Sequence, residues 1–164
     1  MYSGKSKTLI ETYNKHILNS RISIYQHSQS KHGNTVRTRN NTTELESILI
    51  NDIKDIKYKY EDVILIDEFQ FFNNNNELES IKSLIKNNVE VYIFGLISDY
   101  KGNPFGSIKD MIHIAASVLQ LKTKCNTCNN INGIYSSIIN PTDDNIIKPT
   151  ANYIPLCAKC FLSK

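Results

Sequence analysis

Apolar positions along this chain alternate between two periods. Leu9, Ile10, Tyr13 and Ile17 recur at helical spacing, which predicts a helix over residues 7–18, and a short β-favouring run follows at 21–25. Residues 27–43 are polar and aperiodic and are expected to form a loop. Leu45, Ile48, Leu49, Ile53 and Ile56 then fall on one face at i, i+3, i+4 spacing, with Asp52 the only polar interruption, which predicts a second helix. Residues 63–66 read as a buried strand. Leu78, Ile81, Leu84 and Ile85 mark a further helix, and residues 89–94 a strand whose Tyr92 and Phe94 belong to the core. Ile108, Met111, Ile112, Ala115 and Leu119 mark a last helix. Strands alternating with helices imply an α/β fold, a parallel sheet covered on both faces.

Chemistry enters where the 63–66 strand stops. Its apolar run ends abruptly in Asp67 and Glu68, which puts paired carboxylates at the carboxyl end of a parallel strand, the usual place of an α/β ligand crevice. A solvated acidic turn would look the same in isolation. Near the amino end, Met1-Tyr2-Ser3-Gly4-Lys5-Ser6 holds the G-K-[ST] core of a phosphate-binding loop. Gly4 lets the backbone approach an oxyanion, free N–H groups at the helix start point at it, Lys5 adds a mobile charge, and the Ser6 hydroxyl suits Mg²⁺. Alone, such a triplet is equally an exposed turn; paired with Asp67-Glu68 after an apolar strand, it points to a phosphate site. The first glycine of the pattern, and the strand that feeds such a loop, would fall upstream of Met1.

Composition narrows the setting. At 164 residues and 40% hydrophobic, the chain suffices for one core and a small appended unit. Its net charge of +3 is too small to argue for a nucleic-acid partner, and the basic residues are scattered instead of clustered. No apolar run reaches the roughly 18 residues of a membrane span, and the first residues lack a signal-type hydrophobic core, so a cytoplasmic, reducing compartment is expected. The asparagine tract at 73–76 reads as base-composition bias. In that compartment Cys125-x2-Cys128 and Cys157-x2-Cys160 form the pattern of a Cys₄ zinc site in preference to two disulfides. Four thiolates saturate zinc, so the metal is expected to be structural, pinning the insertion 129–156. Two units are expected: 1–122, an α/β nucleotide-binding domain, and 123–164, a small zinc-binding unit.

Together these residues resemble the type II thymidine kinases, the zinc-containing, tetrameric family. The likeness rests on Met-Tyr-Ser-Gly-Lys-Ser at 1–6, Asp-Glu-x-Gln-Phe-Phe at 67–72, and Gly95-Leu96 before Asp99-Tyr100-Lys101-Gly102-x-Pro104-Phe105-Gly106. The first cysteine pair and Tyr153-x-Pro155-x-Cys157-x2-Cys160 complete it. The resemblance implies a P-loop NTPase-like sheet with a zinc-ribbon unit bearing a lasso loop at 139–155. It implies transfer of the ATP γ-phosphate to the 5′-hydroxyl of thymidine, and of deoxyuridine, in pyrimidine deoxynucleotide salvage. Glu68 would be the general base, Mg²⁺ would be held by Ser6 and Asp67, and the nucleotide would meet Ser3, Gly4, Lys5, Ser6, Asp67 and Gln70. Met1, Phe71, Leu96, Tyr100, Phe105 and Tyr153 would surround the base. A homotetramer without nucleic-acid or membrane partners is expected.

The chain departs from the family in places. Lys148-Pro149 stands where two glycines usually precede the lasso tyrosine, and a proline has no N–H to offer a base. Ile138 stands for an arginine, and Gln29-Ser30-Lys31 for Asp-x-Arg. Either the true start lies upstream of Met1, or the protein is a decayed relative, a catalytically weak nucleotide-binding or regulatory form of the same fold.

Overall fold

The computed structural model describes residues 3–30, 33–38, 43–139 and 153–164. Its centre is a four-stranded sheet in the order β4-β1-β5-β6, built from β1 (Ile22–His27), β4 (Ile48–Ile50), β5 (Val63–Asp67) and β6 (Glu90–Ile93). All three pairings are parallel. Every residue of β5 is buried, as a central strand requires when both faces are covered.

Alternation along β5 divides the core. Val63 and Leu65 join Leu9, Ile24 and Val36 beneath α1 (Lys5–His16). Ile64 and Ile66 join Phe69, Phe72, Ile81 and Leu84 on the opposite face, beneath α2 (Glu77–Lys86). Tyr92 and Phe94 pack at the border of the α1-side cluster, as their alternate positions predict. The expected α/β sandwich of helices on a parallel sheet is therefore the fold, and among the described residues no helix is long and apolar enough to cross a membrane.

Three expected elements differ. The helix expected over 45–56 is instead β3 (Glu44–Glu46), β4 and a 3-10 turn at Ile53–Asp55. Isoleucine loses rotamer freedom in a helix, and β4 gains a parallel partner in β1, with Tyr25 opposite Ile48. Asp52, the polar interruption, caps the turn: its carboxylate accepts the Lys54 N–H at 3.0 Å. The polar stretch 27–43 is not wholly loop, because β2 (Thr35–Arg37) pairs antiparallel with β3 and seats Val36 in the core. The last helix, α3, covers only Ile108–Ile112; Val118 and Leu119 beyond it are 56% and 72% exposed, so no burial rewards continuing it.

The cysteine-bearing region folds as β7 (Tyr135–Ile138) and β8 (Tyr153–Leu156), an antiparallel pair, followed by α4 (Ala158–Leu162). Its small core is Cys125, Leu156 and Cys157, with Phe161 packed against it. Phe161 stacks on Tyr135 with ring centroids 4.5 Å apart.

At the amino end of the strands, Asp62 is buried and accepts from the Arg21 guanidinium and the Lys59 N–H. The Arg21 hydrogen bonds hold its carboxyl below the usual range. A carboxyl depressed in the folded state adds stability above its unfolded value, near 4. That stability is lost as pH falls through the folded value. Asp62→Asn should thus lower the urea midpoint at pH 7, with the gap from wild type closing toward pH 3; a pH-independent gap would refute the ion pair's contribution.

Candidate functional site

The site forms where the start of α1 faces the end of β5. Gly4 is the N-cap of α1 with left-handed backbone, φ 88°, and its carbonyl accepts the Thr8 N–H at 2.9 Å, so the first turn is closed from the loop side. Ser3 and Ser6 are half-buried on either side of it. Lys5, the first residue of the helix, reaches across to the carboxyl edge of the sheet.

There its ammonium is shared. Lys5 Nζ donates to Asp67 Oδ1 in a close ion pair and to Glu68 Oε1 at 2.9 Å. Asp67 Oδ1 also accepts the Glu68 N–H at 2.9 Å. Glu68 has φ 53°, uncommon for a non-glycine residue, and this backbone turns its carboxylate back toward the lysine. Burial by itself would lower the Lys5 pKa, but Asp67 and Glu68 together outweigh it and raise it. Burial and the neighbouring Glu68 push the Asp67 carboxyl upward, against the pull of Lys5. The contact geometry favours the Lys5 direction: an ammonium between two carboxylate groups stays charged, and it keeps at least one of them ionised.

Behind Glu68 lies Gln70, 2% exposed, whose Nε2 donates to Glu68 Oε2 at 2.5 Å and whose Oε1 accepts the Leu96 N–H at 3.0 Å. The 3-10 turn Phe69–Phe71 that carries it is bound to the end of β6 by Phe69 N–H to Phe94 O.

The expected base-lining residues fall into two groups. Phe71 and Phe105 meet edge to face with centroids 5.8 Å apart. Tyr153, at the start of β8, is influenced by Tyr100 and Asp99, and its pKa is raised, chiefly by burial. The turn that presents Tyr100 is held by Asp99 Oδ1, which accepts N–H groups from Lys101 and Asn103. Leu96 is half-buried beside Gln70. Met1, Lys148 and Pro149 lie outside the described residues, as does most of the 139–155 lasso.

One neighbour was not foreseen. His27 ends β1, is buried, and packs against Phe72 at 4.8 Å and Phe71 at 6.1 Å between ring centroids. Burial lowers its pKa, and its Nδ1 accepts the Gln29 N–H, which leaves the proton on Nε2. The available signal was position: β1 runs parallel to β5, with Gln26 opposite Asp67, so the next residue reaches the same edge.

The four cysteines converge. Their sulfurs all lie within 4.8 Å of one another, and Cys128 Sγ is 3.6 Å from Cys157 Sγ. Thiolates on a tetrahedral zinc, at roughly 2.3 Å from the metal, would stand about 3.8 Å apart, so the donor set fits. No disulfide links them. Backbone N–H groups of Cys128 and Cys157 lower Cys125 to about 6, whereas the sulfurs of Cys157 and Cys128 push Cys160 up to about 12. Four thiols so close cannot all ionise without a cation among them.

A parallel-sheet α/β protein that concentrates opposite charges at its carboxyl edge and brings together four cysteines that could hold a metal ion is the class these features define. Residues 1–161 match the family described as thymidine kinase. The chain belongs to the thymidine kinase family. The thymidine kinase of Mycoplasma mobile is 31% identical over 177 aligned residues, covering 99% of this chain and 83% of the relative. That of Choristoneura fumiferana entomopoxvirus is 32% identical over 171, covering 98% and 91%. That of Choristoneura biennis entomopoxvirus is 37% identical over 115, covering 70% and 61%.

The loop after β6 is seated against this site by close approach. Gly106 has φ 59°, and a Cβ there would collide with the Gln70 carbonyl. Gly106→Ala should cost about 1–3 kcal/mol from backbone strain and overpacking. Urea denaturation measures it; an unchanged midpoint would mean that the loop does not depend on this contact.

Proposed function

We propose that this chain is a thymidine kinase that transfers the ATP γ-phosphate to the 5′-hydroxyl of thymidine, and of deoxyuridine. The observation that carries the reading is the Lys5 ammonium at the start of α1, in contact with both Asp67 and Glu68 at the end of β5. Phosphoryl transfer needs a positioned hydroxyl, a proton acceptor and cations around the equatorial oxygens.

In this reading Glu68 accepts the proton of the nucleoside hydroxyl as it attacks. Its carboxylate is the more exposed of the pair, 27% against 6% for Asp67, so it is the one a substrate can reach. Lys5 exchanges a carboxylate partner for phosphate oxygens when ATP enters, with the backbone of Ser3 and Gly4 cradling the phosphates. Ser6 and Asp67 offer hard oxygen donors that would hold Mg²⁺, which when bound neutralises charge on the phosphates. Phe71, Phe105, Leu96, Tyr100 and Tyr153, with Met1, supply apolar walls for a pyrimidine.

Cys125, Cys128, Cys157 and Cys160 would hold a zinc ion that is structural, since four thiolates leave no open coordination position. The division into a nucleotide-binding domain at 1–122 and a zinc-bearing lasso unit at 123–164 belongs to this proposal. So do the homotetramer and a cytoplasmic location.

Glu68→Gln should lower kcat by about two to four orders of magnitude with ATP binding nearly intact. Phosphate transfer from labelled ATP to thymidine reads it, and an unchanged kcat removes Glu68 from the role. A wild-type chain that binds ATP but transfers nothing would instead identify a regulatory relative. Removing the metal with a strong chelator should release about one zinc per chain, loosen residues 125–160 to proteolysis and raise KM for thymidine. A chain that carries no zinc, or is indifferent to the chelator, would reject the structural metal.

A further inference from the structure

We infer that Gln70 is a positioning residue for Glu68, holding its carboxylate in register with the loop that follows β6. The inference deepens the kinase reading and rests on it. Glu68 sits at the rim of the sheet with two carboxylate oxygens to satisfy. Oε1 receives Lys5 Nζ at 2.9 Å, and Oε2 receives Gln70 Nε2 at 2.5 Å. The two holds differ in kind. Lysine is a point charge on a flexible stem, and in the proposed reaction it turns to phosphate. Gln70 is nearly inaccessible and its amide is engaged by Glu68 and Leu96, so in this inference the nucleotide contact expected of it gives way to a role behind Glu68.

The orientation of its amide is determined by its surroundings. Leu96 N–H donates to Oε1 at 3.0 Å, so the amide nitrogen must face Glu68. A flipped amide would oppose oxygen to carboxylate and nitrogen to N–H. The seat is tight: a Cβ on Gly95 would lie 3.0 Å from Gln70 Oε1 and 2.6 Å from Ile108 Cδ1. Leu96 opens the loop bearing Tyr100 and Phe105, and Phe71 directly follows Gln70. One amide therefore joins the proton acceptor to the elements that would grip the base, so that the carboxylate is aimed when the nucleoside is seated.

The test is a double-substitution cycle in the full chain with Gln70→Leu, Glu68→Ala and both together; Gln70→Met, closer in shape, serves as a second variant for the buried seat. With labelled ATP and thymidine, Gln70→Leu and Gln70→Met should lower kcat about 10- to 100-fold while both KM values stay within about threefold. In the Glu68→Ala background the same change should cost less than about twofold, because nothing remains to be aimed. Equal losses in both backgrounds, or a loss confined to KM, would overturn the inference in favour of a general structural role. The second readout needs no turnover. Urea midpoints of the four proteins should be non-additive, since each single substitution breaks the same contact, and additive shifts overturn it. Should the wild-type chain transfer no phosphate, the kinase reading fails by itself, and the denaturation cycle still decides whether the two side chains are coupled.

Discussion

Much of this protein depends on one ammonium group held between two carboxylates. The side chains of Lys5, Asp67 and Glu68 are 17%, 6% and 27% exposed, and the ammonium keeps its charge there by contact with the acids, at least one of which stays ionised. The pairing therefore determines how α1 docks, because the lysine must arrive at the edge where β5 ends. It also holds the glycine-capped entry to the helix next to the acids. The opposite charges thus neutralise one another at the edge of the sheet, with the ammonium in contact with both acids.

Around that centre the rigid and adaptable parts are separated by burial. β5 is closed on both faces and by strands on both edges, so the acids stand at the end of a fully buried strand. The aromatic residues that would flank a base come from the 3-10 turn after β5, the loop after β6 and the start of β8. Two of these are joined to the acids by hydrogen bonds through Gln70, and by the approach of the Gly106 backbone to its carbonyl. Segments that are irregular in conformation are thereby anchored to a regular scaffold.

The cysteine unit solves a different problem. Among the described residues its hydrophobic cluster is small: Cys125, Leu156 and Cys157, with Ile154, Cys160 and Phe161 against it. Four converging sulfurs beside it could hold a metal ion, and the Tyr135–Phe161 stack adds a flat contact.

Strand and helix alternation, the carboxylates at the end of β5 and the cysteine pairs were legible because each is a local pattern: a period, an abrupt change of polarity, a fixed spacing. The residues at 45–56 were not, since their spacing fits a helix as well as it fits two strands and a turn, and only β1 lying alongside decides for strand. The last helix likewise ends where the surface it would cover is absent. Lys5 and Asp67 stand out in separate motifs 62 residues apart, but the sharing of one ammonium by both acids depends on where α1 docks. The roles of Gln70 and His27 depend on contacts between segments far apart in the chain. By itself the sequence determined the elements with strong periods, the spacing of the four cysteines and the reactive residue types. The tertiary structure decided which of those residues meet, because pairing energies between distant segments are not written in the local pattern of either one.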